Sequence, residues 1–102
     1  MTRQTLFVIA HVTARPEEAS RVRERFEALV APTRAEPGCL RYELFMGEDD
    51  PEDFLFVQEY ENDAAFDAHL GSKHITEMLP IVLPRLSSPP DIRRYRRLSP
   101  AP

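Results

Sequence analysis

The chain has 102 residues, of which 42% are hydrophobic, and this size predicts a single domain with one core. Thirteen basic residues against seventeen acidic residues give a net charge of −4, which argues against a general nucleic-acid or anionic-membrane binder. The single cysteine, Cys39, excludes an intramolecular disulfide, and the first apolar run is too short to span a membrane, so we predict a cytoplasmic protein.

The first half of the chain predicts a strand, a helix and a second strand. Residues 6–13 are rich in β-branched and aromatic types, which favour a strand. Pro16 at a helix start, two acidic residues after it and apolar residues at three- and four-residue spacing predict an amphipathic helix. This helix is expected to stop at the Pro-Gly pair 37–38, and strand two follows over residues 39–46.

An acidic turn at residues 47–51 leads into strand three, residues 54–61, and indicates an antiparallel hairpin. Asn62 or Asp63 then offers an N-cap for a helix, because short polar side chains there accept a hydrogen bond from the first helical turn. A Gly-Ser pair at residues 71–72 interrupts this helix.

The last part of the chain predicts another helical stretch and a final strand. Pro80 and Pro84 must kink or shorten the helical stretch, because proline removes a backbone donor. The last strand is predicted over residues 92–98, with a frayed tail at residues 98–102. The order β-α-β-β-α-β predicts an α+β ferredoxin-like sandwich, in which one antiparallel sheet carries helices on one face.

The predicted sheet is apolar on both faces, although its helices cover only one. In strand three, Phe54, Phe56 and Tyr60 alternate with Leu55 and Val57, so each face of the strand carries large apolar groups. A second copy of the same sheet packed against the uncovered face would bury it, which predicts a homodimer. The alternative is that such short strands tolerate a few exposed apolar side chains.

His69 and His74 are the first candidates for chemistry. On an unbroken helix a five-residue step rotates the side chain by about 140°, so a bend at the Gly-Ser pair 71–72 is needed to bring the two together. With three histidines, one cysteine and no HExxH or CxxC pattern, no metal site is predicted. Each histidine taken alone is also compatible with a boundary residue that bonds to the backbone.

Several other polar residues lie on predicted strands among apolar neighbours. His11 and Glu59 each need a partner there, and for Glu59 a cross-strand ion pair with Arg41 or a C-terminal arginine is favoured over catalysis. Tyr42 and Tyr60 are either core phenols or hydrogen-bond donors to a pocket. The chain has no phosphate-binding glycine loop and no dinucleotide fingerprint, so no nicotinamide or ATP site is predicted.

Four segments resemble the antibiotic biosynthesis monooxygenase family of the dimeric α+β barrel group. "FVIAHVTARPE" matches its first strand, "EPGCLRYEL" its helix-to-strand joint, "FVQEYENDAAFDAHL" its third strand with the helix start, and "HLGSKHI" its two-histidine segment. The resemblance implies a pocket between sheet and helices in each subunit, and a dimer formed through the other sheet faces.

The family includes oxygenases that oxidise phenolic or quinol-type aromatics without flavin, haem or metal, together with haem-degrading enzymes and small carbonyl isomerases. Many members have tryptophan where this chain has Tyr60, and the region of the haem-ligating histidine has Leu79 here. The resemblance therefore gives little support to haem degradation.

We accordingly predict a cofactor-independent monooxygenase that oxidises a small hydroxylated aromatic with dioxygen. The alternatives are a carbonyl isomerase that uses the same pocket histidine and a non-catalytic, ligand-binding dimeric domain. The predicted catalytic residues are His69, by preference, and His74, and the predicted substrate-binding residues are Tyr42, Tyr60, His11, Phe66 and Glu59.

Overall fold

The computed structural model describes residues 4–102 and contains one four-stranded antiparallel sheet. The strands are β1 (Leu6–Thr13), β2 (Cys39–Met46), β3 (Asp53–Tyr60) and β4 (Asp91–Tyr95). They lie in the order β2-β3-β1-β4, so β1 and β3, which pair along their whole length, occupy the centre. The sheet is open and does not close on itself. This arrangement confirms the predicted ferredoxin-like α+β fold.

Three α-helices connect the strands: α1 (Ala19–Arg34), α2 (Asp63–Leu70) and α3 (Lys73–Val82). Single 3-10 turns precede α1 and follow α3, over Pro16–Glu18 and Leu83–Arg85. Of the two predicted N-cap candidates for α2, Asn62 is the cap, and its side chain accepts a hydrogen bond from the backbone N–H of Ala65 at 2.8 Å.

The chain after β3 differs from the prediction in one boundary. The last strand ends at Tyr95, so its predicted extension to residue 98 is wrong. Tyr95 pairs with Phe7 near the start of β1, and β1 therefore offers almost no further residues for pairing. The last helix is shortened, as predicted: it ends at Val82, and Pro84 falls in the following 3-10 turn and cannot donate a helical hydrogen bond.

The core lies between the helices and one face of the sheet, which we call the inner face. Phe26 of α1 packs edge-on against Phe54 and Phe56 of β3, with ring centroids 5.4 and 4.9 Å apart. Val22, Leu29, Ile75 and Val82 of the helices belong to the same buried cluster. All three helices thus contribute to positioning the inner face.

The other face of the sheet, the outer face, carries the second set of alternating side chains. Ile9 and Val57 are register partners at its centre and are partly buried, whereas Phe45 and Tyr95 are 49% and 47% exposed in the single chain. The predicted two-sided apolar character of the sheet is therefore confirmed. Within residues 4–102, no helix is long and apolar enough to cross a membrane, and the predicted cytoplasmic location stays a prediction.

Candidate active site

A cavity of about 170 Å³ lies between the inner face of the sheet and the helices. Its polar lining groups are Tyr42, Gln58 and His69, and within residues 4–102 no lysine or arginine side chain lines it. The remaining lining is apolar, as expected for a small-molecule site. Half-exposed apolar residues from α2, the last 3-10 turn and β4 line it as well: Leu70, Leu83 and Ile92.

His69 lies in the last turn of α2, three residues after Phe66, so both side chains point from α2 towards the sheet. The imidazole is only 4% exposed and sits among aromatic rings. Its ring centroid lies 5.6 Å from Tyr42, 5.4 Å from Tyr60 and 6.0 Å from Phe66. The predicted catalytic histidine and three predicted substrate-binding residues are therefore close together.

The partner of His69 is Glu36, a residue that the sequence interpretation missed. Nδ1 of His69 lies 2.9 Å from Oε2 and 3.2 Å from Oε1 of Glu36. Glu36 precedes a turn in which Gly38 adopts φ of 88°, a left-handed conformation that favours glycine. This turn reverses the chain between α1 and β2 and leaves the Glu36 carboxylate next to the end of α2.

His74 contacts the same carboxylate. Its Nε2 lies 2.6 Å from Oε2 of Glu36 and 3.2 Å from Oγ of Ser72. The hydroxyl of Ser72 donates to the backbone carbonyl of His69 at 2.7 Å, which fixes the bend between α2 and α3. The bend required by the five-residue spacing is therefore present, and both histidines converge on Glu36.

Burial controls the charge of the aromatic and imidazole groups. Burial lowers the pKa of His69 from its ordinary value of 6.5, although the hydrogen bond and negative charge of Glu36 oppose this effect. Burial also raises the pKa values of Tyr42 and Tyr60 well above 10. At neutral pH the site therefore contains a neutral imidazole and two neutral phenols.

Gln58 is the second site residue that the sequence interpretation missed, and its side chain lines the cavity. Gln58 is only 4% exposed. Its Oε1 accepts a hydrogen bond from Oη of Tyr60 at 2.5 Å. With the amide oxygen engaged, the amide nitrogen is left as the donor of this side chain. Tyr60 thus stands behind the cavity lining and orients Gln58 rather than lining the cavity itself.

His11 and Glu59 do not lie near this cavity. Both project from the outer face, because they alternate with the buried residues of β1 and β3. His11 forms an ion pair with Asp53. Glu59 lies 3.9 Å from Arg41 and accepts a hydrogen bond from Thr5 at 2.7 Å, so the favoured cross-strand pair with Arg41 is present. The structure therefore separates these two residues from the other predicted site residues.

Glu36, His69 and His74 are also the kind of residues that hold a divalent cation, and their donor atoms lie within 4.8 Å of one another. A tetrahedral zinc ion with bonds of about 2.0–2.2 Å keeps its ligand atoms about 3.3 Å apart. The carboxylate-to-imidazole distances of 2.6 and 2.9 Å are shorter and match direct hydrogen bonds. The observed geometry is therefore that of a hydrogen-bonded cluster.

Comparison with known proteins identifies relatives over most of the chain. The family model for antibiotic biosynthesis monooxygenase matches residues 5–80, which include all three residues of the cluster. A Mycobacterium tuberculosis protein, Rv0793, which carries the name of a candidate monooxygenase, is 42% identical over 67 residues, or 66% of this chain. The matched segments span 65% of Rv0793 and 62% of a Synechocystis relative, sll1783, somewhat less than two thirds of the curated relatives' length.

Solved structures give the same result for the fold. A crystal structure of an antibiotic biosynthesis monooxygenase aligns with a TM-score of 0.88 and 32% identity, covering 92% of this chain and 99% of that one. The structure of Rv0793 from Mycobacterium tuberculosis aligns with a TM-score of 0.90 and 31% identity, covering 96% and 99%. PA3566 from Pseudomonas aeruginosa aligns at 0.87 and 32%, covering 94% and 96%.

Proposed function

The chain belongs to the antibiotic biosynthesis monooxygenase family, and we propose that it oxidises a small hydroxylated aromatic with dioxygen without a cofactor. The family match and the candidate monooxygenase relative support a monooxygenase-like role. One observation carries the finer proposal: a buried, neutral imidazole, His69, lines a largely apolar cavity.

The size of the cavity favours a substrate with a single ring. A dry cavity of about 150 Å³ is large enough for benzene. The cavity here is about 170 Å³, so a hydroquinone with small substituents fits, whereas a three-ring substrate requires the helices to move. The absence of cationic lining groups among residues 4–102 disfavours substrates that carry a carboxylate or phosphate.

Proton removal starts the proposed reaction. Nε2 of His69 accepts the proton of a phenolic hydroxyl, because Nδ1 is occupied by Glu36. The amide nitrogen of Gln58 donates a hydrogen bond to the phenolate oxygen as negative charge develops. The neutral phenol of Tyr42 completes the polar part of the cavity and orients the substrate.

The electron-rich phenolate then transfers one electron to dioxygen. Recombination of the substrate radical with superoxide forms a carbon–oxygen bond, and the resulting peroxide loses water to leave a new carbonyl group. A hydroquinone and one dioxygen thus give a hydroxyquinone and one water, and the substrate supplies all four electrons. The apolar lining protects the radical pair from water and from side reactions.

Oxygen uptake tests this proposal. A panel of single-ring hydroquinones should show uptake above the buffer rate, and His69→Gln should lower kcat by about 10²–10⁴, the usual contribution of a general base. His11→Gln is the matched control, because it removes an imidazole from the outer face and should leave kcat unchanged.

Two results would favour the other functions. Solvent hydrogen exchange into a hydroxy-carbonyl compound without oxygen uptake indicates the isomerase. Binding of an aromatic that is released unchanged, with no uptake from any member of the panel, indicates a non-catalytic ligand-binding domain. Either result contradicts the proposed oxidation.

We also propose that two copies of the chain pack through their outer faces. Ile9, Val57, Phe45 and Tyr95 form an apolar surface on this face that residues 4–102 leave only partly covered. An isologous interface would remove this apolar surface from water, and this burial would stabilise the dimer. The family resemblance and the small size of the domain favour the same assembly.

A further inference from the structure

We propose that Glu36 is a positioning residue that keeps the proton of His69 on Nδ1 and thereby leaves Nε2 with a free lone pair for the substrate. His74 assists by holding the Glu36 carboxylate in place. This inference deepens the proposed function and rests on it, but the tautomer of His69 can be measured without any substrate.

The argument begins with the chemistry of the carboxylate. An ionised carboxylate only accepts hydrogen bonds, so a nitrogen 2.9 Å from Oε2 of Glu36 must carry a proton. In a neutral imidazole the second nitrogen is then without a proton. His69 lines the cavity, and its Nε2 is therefore the acceptor that the chain presents there.

The position of Glu36 makes this preference strong. The side chains of Glu36 and His69 are only 14% and 5% exposed, so water competes little for their hydrogen bond. The opposite tautomer would place a bare Nδ1 lone pair against the carboxylate in this poorly solvated place. Loss of that hydrogen bond and repulsion between the two acceptors both disfavour it.

His74 restrains the carboxylate through the same oxygen, Oε2, that His69 contacts. Its Nε2 is 2.6 Å from Oε2 of Glu36 and 3.2 Å from Oγ of Ser72, whose own proton goes to the carbonyl of His69. Both neighbours of this nitrogen therefore act as acceptors, and Nε2 of His74 carries a proton. With Nε2 of His74 and Nδ1 of His69 both donating to it, the Glu36 carboxylate is held against rotation.

The same arrangement acts again during the reaction. When His69 accepts the substrate proton, it becomes an imidazolium next to the Glu36 carboxylate. The attraction is larger for this charged pair than for the neutral imidazole, so Glu36 stabilises the step in which charge develops. This is the role of the carboxylate in a hydrolase triad, where it orients and stabilises a histidine without accepting its proton.

Nitrogen-15 NMR of the imidazole rings tests the tautomer directly. The chain has three histidines, so single replacements of His11 and His74 assign the His69 signals. At pH 7.5 we expect a protonated Nδ1 and an unprotonated Nε2 for His69. In Glu36→Gln, whose amide can donate as well as accept, we expect a mixture of tautomers or the Nε2–H form.

Glu27→Gln is the matched control, because it removes an exposed carboxylate on α1 that pairs with Arg23. It should leave the His69 signals unchanged. An Nε2–H tautomer in the unmodified protein, or the same tautomer before and after Glu36→Gln, overturns the inference. The spectra also report whether each variant is folded.

Kinetics separate a positioning role from a structural one. Glu36→Gln should lower kcat by about 10²–10⁴ with a small change in KM, and Glu36→Asp, which keeps the charge, should recover part of the loss. His74→Gln, which can still donate to Glu36, should lose less than about 10-fold. Equal losses for Glu36→Gln and Glu36→Asp contradict the proposed role of the charge.

The outcomes distinguish this inference from the proposed function. If the tautomer is as expected but no hydroquinone is oxidised, the oxidation fails while the assignment of Glu36 stands. Stoichiometric binding of Zn²⁺ that shifts both His69 and His74 signals, with loss of oxygen uptake on dialysis against a chelator, overturns the hydrogen-bonded cluster.

Discussion

Replacement of Gly38 by alanine tests whether the turn before β2 builds the site. Gly38 has φ of 88°, a conformation that residues with a side chain rarely adopt. A Cβ atom added there would lie 2.8 Å from Cβ of Ala65 at the start of α2, which is closer than non-bonded carbon atoms approach. Alanine therefore requires both a strained backbone and a displacement of α2 from the turn.

The magnitude follows from these two effects. The left-handed conformation costs about 1–2 kcal/mol for a residue with a Cβ atom. Overpacking at a contact between two structural elements costs about 1–3 kcal/mol more. We expect Gly38→Ala to lower the free energy of unfolding by about 2–5 kcal/mol, a large part of the 5–15 kcal/mol that is typical of a small domain.

Urea denaturation followed by far-UV circular dichroism at fixed protein concentration measures this loss. Gly71→Ala is the matched control, because Gly71 has φ of −89° and an added Cβ would meet nothing closer than 3.8 Å. It should leave stability unchanged or raise it by up to about 1 kcal/mol. A loss below about 0.5 kcal/mol for Gly38→Ala, or equal effects at both glycines, would refute the reasoning.

The remaining predictions concern charge and assembly. Because burial lowers the pKa of His69 below 6.5, the base stays neutral at pH 7, so kcat/KM should be flat at neutral pH and fall only below about pH 6.5. Because the folded state disfavours protonation of His69, the free energy of unfolding should also fall as the pH drops below about 6.5. A midpoint of the kcat/KM profile above pH 6.5 would contradict both statements. Val57→Lys at the centre of the outer face should convert the proposed dimer to a monomer in sedimentation at micromolar concentration, whereas Ala28→Lys, on an exposed position of α1, should not. A monomeric unmodified chain would contradict the proposed interface.

Periodicity was sufficient to predict the fold. The switch from two-residue to three- and four-residue spacing located every strand and helix, and the Pro-Gly and Gly-Ser pairs located the breaks. The errors lie at the ends of elements, where pairing with a neighbouring strand decides how far the element extends. The strand after residue 91 was predicted too long, because the sequence does not reveal that β1 has almost no residues left to pair after Phe7.

Alternation along a strand predicts which residues share a face, but it does not reveal which face the helices cover. Alternation places His11 on the same face of β1 as Phe7 and Ile9, and in the structure this is the outer face. Glu59 was likewise grouped correctly and lies away from the cavity. Their assignment to a pocket therefore failed at the level of packing between layers rather than at the level of strand geometry.

The cluster around His69 needed contacts that no local pattern encodes. Glu36 and His69 are 33 positions apart in the chain, and Glu36 stands in a turn sequence whose proline and glycine suggest only a chain reversal. Gln58 carries no charge and lies within the predicted third strand, where alternation does not mark it as a site residue. The sequence did contain a hint of this contact. A glutamate stands directly before a turn and a histidine lies on an apolar helix face, and the sequence interpretation assigned a partner to neither.

This pairing explains why a histidine occupies a helix face where leucine would pack well. Leucine at position 69 would fill the apolar wall, but it would leave the Glu36 carboxylate with only His74 as a partner in a place with little solvent. A buried charge that loses one of its hydrogen bonds costs more free energy than a neutral group does. The carboxylate, the turn that places it and the two imidazoles therefore depend on one another, and this mutual dependence is what the proposed positioning of His69 by Glu36 requires.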